Sequence, residues 1–218
     1  MKFAAIETST EWCSVALWRD GELRAVERRA PNRHSDLALP MLEALLKESN
    51  MKIDQLEAVA FGAGPGAFTG LRIACGLAQG LAFARGLPLL GVSTLEAMAD
   101  EAGAPRVVAC LDARMGEVYY SALEKQGERW REIVPVQCVA PQALRVPAGE
   151  WIGVGNGFAA YGSMGLSRVF AEVHPGAAAV ARLAAPRFAA GEGVDAAQAA
   201  PLYVRDKVAF TQEELGRR

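Results

Sequence analysis

Residues 2–8, KFAAIET, form an apolar run that closes on the acid Glu7, and residues 13–19, CSVALWR, alternate apolar and polar side chains. The first pattern predicts a buried strand and the second a half-buried one. An Asp-Gly pair at 20–21 is a strong signal for a two-residue hairpin turn. Because residues 22–30 alternate again, the opening of the chain predicts three successive strands.

Three helices and two strands are predicted in the remainder of the first half. The row of Leu37, Met41 and Leu45 at i, i+4 spacing predicts a helix over 35–49. Ser35 is its expected N-cap, and Pro40 should kink it or mark its start. Further predicted elements are a strand over 57–62, a helix over 70–85 capped by Thr69 and ended by Gly86, a strand over 88–93 and a helix over 94–102.

The second half repeats this plan. Residues 106–112, RVVACLD, again form an apolar strand that ends on an acid, Asp112. Strands over 116–124, 129–139 (interrupted by Pro135) and 151–157 follow, and then an Ala-rich helix over 176–190. An internal repeat of this kind predicts an α/β protein of two similar lobes, residues 1–103 and 104–218, each with a mixed sheet and flanking helices.

The composition favours a folded protein without a disulfide or metal framework. The 218 residues are 51% hydrophobic, and the formal charge is −2. The basic residues are dispersed, with adjacent pairs only at 28–29 and 217–218, so no basic face for RNA is indicated. The four cysteines, at 13, 75, 110 and 138, have no metal-ligand spacing and are expected as buried thiols. With no signal peptide and no membrane span predicted, a cytoplasmic location is expected.

Nucleotide chemistry is the first functional hypothesis. Glu7 and Asp112 occupy matching places before a hairpin, where an acid could hold a metal or orient water, or simply face solvent. Residues 62–70, GAGPGAFTG, carry glycines that let the backbone approach a ligand or a partner closely, or pack internally. No Gly-Lys-Ser/Thr follows, so this is not a P-loop. The residues predicted for a nucleotide site are Glu7, Thr8, Gly64, Gly66, Thr69 and Asp112.

Other motifs are less specific. Gly76 and Gly80 lie four residues apart in the predicted second helix and would share a face, which suits close packing against another helix or against the sheet. His34 precedes Ser35 and Asp36, but three consecutive side chains cannot form a catalytic triad, so a capping or interface role is expected for His34. The turn at 153–157 is a nucleotide-adjacent turn or a plain tight turn.

The sequence resembles the bacterial TsaB (YeaZ) family over nearly its whole length. The resemblance is carried by HSDLALPML at 34–42, GPGAFTGLRIACGLAQGLA at 64–82, VSTLEAMA at 92–99, LDARMGEVY at 111–119 and PLYVRDKVA at 201–209, together with the opening IETST. It implies the actin-like ATPase (ASKHA) fold. It also implies a role in forming N6-threonylcarbamoyladenosine at position 37 of tRNAs that read codons starting with A.

The resemblance further implies partners. In that family the protein pairs with its larger paralogue TsaD, which performs the transfer, and the ATPase TsaE joins the complex; homodimers form through the same surface, the two helices that correspond here to 35–49 and 70–85. Contact with tRNA would be indirect. The predicted interface residues are His34, Leu37, Met41, Leu45, Arg72, Gly76 and Gly80.

Departures from the catalytic paralogue point to a non-catalytic member with no intrinsic cofactor. That paralogue has a His-x-x-x-His metal pair, whereas here Ala38 follows His34 at that spacing. The hairpin ETSTEWCS at 7–14 lacks the glycine of active relatives and contains Trp12. ATP or ADP at the interface of the complex is left open. The alternatives are a nucleotide hydrolase or kinase that uses Glu7 and Asp112, and an RNA-binding subunit.

Overall fold

The computed structural model describes residues 1–205, which form ten strands and five α-helices. In the first half these are β1 (Lys2–Glu7), β2 (Trp12–Arg19), β3 (Glu22–Arg29), α1 (His34–Glu48), β4 (Ala58–Gly64), α2 (Phe68–Phe83), β5 (Leu89–Ser93) and α3 (Thr94–Ala102). In the second half they are β6 (Arg106–Arg114), β7 (Glu117–Gln126), β8 (Arg129–Val139), β9 (Ile152–Val154), α4 (Asn156–Tyr161), β10 (Val169–Phe170) and α5 (Ala177–Ala189). The predicted Arg217-Arg218 pair and the end of the matching stretch 201–209 lie outside the described residues.

The two halves build sheets of the same topology. The first sheet has the order β3-β2-β1-β4-β5 and the second the order β8-β7-β6-β9-β10. In each sheet three successive strands pair antiparallel, and the first of them also pairs parallel with the fourth strand of its half. The predicted repeat is confirmed, and with it the α/β architecture of the actin-like ATPase fold.

Helices cover both faces of the first sheet. On one face α1 and α2 enclose a core that includes Leu42 and Phe61. On the other face α5 packs small side chains such as Ala181 against Phe3 and Ala60. α5 belongs to the second half of the sequence but packs on the first sheet, whereas α3 belongs to the first half but packs mainly on β6 of the second sheet. The two halves therefore exchange helices across the predicted boundary at residues 102–105.

The N-caps predicted for α1 and α2 were wrong. α1 begins at His34, after Arg33, and Ser35 lies within its first turn. α2 begins at Phe68, so Thr69 is also inside the helix. Neither helix has a side-chain cap; at α2 the Ala67 amide instead donates to the main-chain oxygen of Ser9, 2.7 Å away. A neighbouring backbone can satisfy a helix end that sequence reasoning assigns to a side chain.

The two prolines predicted to interrupt a helix and a strand, Pro40 and Pro135, differ in their effect on the element that holds them. Pro40 lies inside α1 and does not mark its start. Pro135 lies in β8 where the pairing with β7 shifts, since Gln137 is opposite Tyr120 but Val134 is opposite Ala122. The missing N–H of proline fits such an irregular position. Among residues 1–205, no helix has the length and apolar character needed to cross a membrane.

Candidate functional site

The end of β1 carries a fully buried acid, Glu7. Its Oε1 accepts a hydrogen bond from the Ser9 amide at 2.5 Å, and its Oε2 has no partner among the described residues. Burial raises the pKa of Glu7 from 4.5 to about 7, although the hydrogen bonds from Ser9 oppose the rise. A carboxyl group in this setting is partly protonated at neutral pH.

The glycine loop closes directly over this acid. A Cβ at Gly62 would lie 1.7 Å from the Glu7 Oε2, and one at Gly70 would lie 1.9 Å from the main-chain oxygen of Thr8. The Thr8 hydroxyl donates to the Gly70 oxygen at 2.7 Å. The close approach that these glycines permit is therefore made by the chain's own β1–β2 turn.

The second half contains a simpler version of the same contact. A Cβ at Gly155 would lie 2.3 Å from the main-chain oxygen of Cys110 in β6. Asp112 is less deeply buried than Glu7, and its carboxylate accepts from the Arg114 amide at 2.8 Å and from the Tyr161 hydroxyl at 3.2 Å. The turn at 153–157 thus packs against β6.

The residues predicted for a nucleotide site are only partly brought together. Glu7 and Thr8 are buried beneath the loop, and Gly66 lies against Ser9. Gly64 has the left-handed backbone that suits glycine, with φ of 118°, and faces the main-chain oxygen of Leu202. Thr69 is exposed at the start of α2, whereas Asp112 belongs to the second sheet. Glu7 and Thr8, both fully buried, are therefore not accessible to a ligand in solvent.

The outer face of α2 is a second candidate site. Gly76 and Gly80 are exposed, and a Cβ at either position would meet no atom of the described residues within 4 Å. The alternative that they pack against the sheet is therefore wrong. Phe83, on the last turn, is 76% exposed. Among residues 1–205, Gly76, Gly80 and Phe83 therefore form an uncovered strip on α2, here called the α2 strip.

The predicted interface residues of α1 occupy different places. Met41 and Leu45 are only 6% and 3% exposed, because they belong to the core under the first sheet; the prediction that they form an exposed row was wrong. Leu37 is half-buried at the edge of that core. His34 is buried at the start of the helix, and its Nε2 has no partner among residues 1–205. Leu39 supplies the exposed large apolar side chain of α1.

Sequence reasoning missed an aromatic cluster beside the α2 strip. The Arg72 guanidinium lies 3.8 Å from the centre of the Phe68 ring, and its Nε donates to the Tyr203 hydroxyl at 3.2 Å. Phe68 and Tyr203 are both exposed. The 131-residue separation of Arg72 and Tyr203 explains the omission, because no local pattern connects them.

Comparisons with known proteins match proteins that are named for threonylcarbamoyl modification of tRNA. The family model that matches is TsaD, tRNA N6-adenosine threonylcarbamoyltransferase, over residues 26–209. The chain is 39% identical to the tRNA threonylcarbamoyladenosine biosynthesis protein TsaB of Escherichia coli K12, with 96% of this chain and 97% of that protein covered. The Haemophilus influenzae protein of the same name is 37% identical, with 94% of each chain covered.

Solved structures give the same result for the fold. A Pseudomonas aeruginosa protein, described as uncharacterized with similarity to peptidase YEAZ, is 40% identical and superposes with a TM-score of 0.90 over 94% of this chain and 99% of its own. A second structure, YeaZ from the same species, superposes with a TM-score of 0.88 over 93% of this chain and 99% of its own. The chain therefore belongs to the TsaB (YeaZ) family of tRNA threonylcarbamoyladenosine biosynthesis proteins.

Proposed function

We propose that the chain is a non-catalytic partner of TsaD in forming N6-threonylcarbamoyladenosine at position 37 of tRNA, and that it docks through the outer faces of α1 and α2. The observation that carries this proposal is the pair of open glycines on α2. A helical glycine destabilises an isolated chain by about 1 kcal/mol relative to alanine. No atom within the described chain requires glycine at 76 or 80, so the reason is sought in a second molecule that approaches the helix closely.

The apolar character of the surroundings supports docking. The exposed side chain of Phe83 lies on α2 with the two glycines, and that of Leu39 lies on the neighbouring helix α1. Large exposed apolar groups beside small residues allow a partner helix to approach closely and to bury apolar surface. TsaE would join the resulting complex, tRNA would be contacted indirectly, and a homodimer would use the same strip, so that it would compete with TsaD. ATP or ADP at the interface of the complex remains part of the proposal.

The buried state of Glu7 favours this function over the hydrolase or kinase alternative. A catalytic acid has to reach the substrate or its metal, whereas Glu7 is enclosed by the turn and by the glycine loop. The missing second histidine after His34 points in the same direction. ATP turnover with Mg²⁺ by the purified chain, compared with its Glu7→Ala variant, would decide: turnover of about 1 per second that the variant loses would favour the enzyme.

The docking proposal is tested by Gly76→Arg and Gly80→Arg. Both changes place a bulky charge where no atom of residues 1–205 lies within 4 Å of an added Cβ, so the chain should fold normally while losing co-purification with TsaD and stimulation of threonylcarbamoyl transfer. Ala189→Arg is the matched control, because it adds the same side chain to an exposed position on α5, on the opposite face of the first sheet. Wild-type complex formation by both glycine variants would refute the location of the interface.

A further inference from the structure

Ser9 connects the buried acid Glu7 to the start of α2. Its amide donates to the Glu7 Oε1 at 2.5 Å, and its main-chain oxygen accepts at 2.7 Å from the amide of Ala67, which precedes the first residue of the helix. The Ala67 oxygen in turn accepts from the Leu71 amide at 2.9 Å. An unbroken series of hydrogen bonds therefore runs from the carboxyl group into the first turn of α2.

Close packing holds the β1–β2 turn against the same helix. A Cβ at Gly66 would lie 2.5 Å from the main-chain oxygen of Ser9, and one at Gly70 would lie 1.9 Å from that of Thr8. The Thr8 hydroxyl also donates to the Gly70 oxygen at 2.7 Å. Because these contacts are made by main-chain atoms, a movement of residues 7–9 has to move the start of α2 as well.

The second oxygen of Glu7 makes an ionised carboxyl group unfavourable in this arrangement. Within residues 1–205 its Oε2 has no hydrogen-bond donor, and Gly62 approaches so closely that an added Cβ would lie 1.7 Å away. A buried charge without a partner is costly, and burial accordingly raises the pKa of Glu7 to about 7. Opening of the turn to water would relieve that cost when the group ionises.

The other ionisable groups around Glu7 do not account for a titration near pH 7, with one exception. β4 and the glycine loop contain no ionisable side chain. The thiols of Cys13 on β2 and Cys75 on α2 stay neutral, because burial raises the pKa of both. Arg72 of α2 keeps its charge throughout this range. The exception is His174, in the segment before α5, whose charge lowers the pKa of Glu7.

We propose that ionisation of Glu7 loosens the first turn of α2 and thereby weakens docking on the α2 strip, so that Glu7 is a positioning residue of that surface. The effect on docking rests on the proposed function, whereas the loosening is a property of the free chain. Docking should weaken as the pH rises through about 7, which is the direction expected for an acid whose pKa is raised in the folded state.

Amide hydrogen exchange in the full-length ¹⁵N-labelled chain tests the loosening without a partner. From about pH 6.5 to about pH 8.5, the protection of Ala67 and Leu71 should fall about three- to tenfold relative to that of Ala78, in the middle of the same helix. Global unfolding cannot produce this change, because it exposes Ala78 as well. Glu7→Gln should abolish the pH dependence, since glutamine keeps an oxygen for the Ser9 amide and cannot ionise. Glu150→Gln, at an exposed position in the second half, should retain it.

The Kd for TsaD over the same pH range tests the consequence for docking. The wild-type chain should bind about three- to tenfold more weakly at the higher pH, below the limit of about 25-fold that strict dependence on protonated Glu7 would set. Glu7→Gln should bind equally well at both ends of the range. Because TsaD is the same in both titrations, its own ionisable groups cannot produce this difference between the two chains.

Three results would overturn the proposal. The first is a constant ratio of protection between the first turn and Ala78 in the wild-type chain. The second is the same pH dependence in Glu7→Gln as in the wild type. The third is pH dependence that His174→Gln abolishes and Glu7→Gln does not, which would assign the titration to the imidazole. If TsaD bound neither chain at any pH, the proposed function would fail, while amide exchange would still decide whether Glu7 positions α2.

Discussion

Replacement of Glu7 by glutamine should change how stability depends on pH. The wild-type acid has its pKa raised from 4.5 to about 7 in the folded state because it is buried. The folded chain therefore binds more protons than the unfolded chain between these values. Stability from this group is fully present below pH 4.5 and is lost as the pH rises towards 7.

The size of the effect follows from the shift. A rise of about 2.5 pH units corresponds to about 3 kcal/mol, of which about 2.5 kcal/mol falls between pH 5 and pH 8.5. Glutamine keeps the shape and the oxygen that accepts from Ser9, but it has no proton to lose. The stability of Glu7→Gln relative to wild type should therefore improve by about 2.5 kcal/mol over that range, or roughly 5–10 °C in Tm.

Thermal unfolding at a series of pH values provides the measurement. Glu43→Gln is the control, because it makes the same replacement at an exposed position on α1, outside the buried site. A carbonyl-¹³C titration of glutamate-labelled wild type gives an independent check, with one resonance changing near pH 7. The reasoning is refuted if the stability difference for Glu7→Gln is flat and no carboxyl titrates near neutrality.

Two further perturbations use the contacts of the same region and of α5. Gly70→Ala should lower the free energy of unfolding by about 1–3 kcal/mol in denaturant unfolding, because its Cβ would lie 1.9 Å from the Thr8 oxygen. Gly76→Ala in the same helix should raise it by about 1 kcal/mol. Equal effects of the two substitutions would contradict the packing described. Ser14→Ala should lower the free energy of unfolding by about 1–2 kcal/mol, because the Ser14 hydroxyl oxygen accepts from the first amide of α5 at 2.8 Å. Ser35→Ala should have little effect, since Ser35 does not cap α1; a larger loss for Ser35→Ala than for Ser14→Ala would show that it does.

Local patterns predicted the elements well because they report periodicity. Alternation gave β2 and β3, the Asp-Gly pair gave their turn, and the helix predicted over 94–102 has those bounds in the structure. The N-cap predictions were wrong because the hydrogen-bond partners at the helix starts come from elsewhere in the chain, as the Ser9 oxygen does for the Ala67 amide. Such contacts depend on tertiary structure, which periodicity does not contain.

The candidate site shows a different limit of sequence reasoning. The row of Leu37, Met41 and Leu45 identifies an apolar face of α1, but the same spacing suits a core and an exposed docking surface. Burial shows that Met41 and Leu45 belong to the core. The exposed apolar group of α1, Leu39, falls outside that row and could be found only from the structure.

Glycine illustrates how structure resolves what composition leaves open. At 62 and 70 the residue is required internally, because a Cβ would overlap Glu7 or Thr8. At 76 and 80 an added methyl group meets no atom of the part of the chain that the structure describes, so glycine there lowers helix stability without serving packing within that part. These two groups of glycines should respond to alanine with opposite signs in the isolated chain. If close approach by TsaD is the reason for the second group, alanine at 76 and 80 should stabilise the free protein and weaken the complex, a combination that internal packing cannot produce.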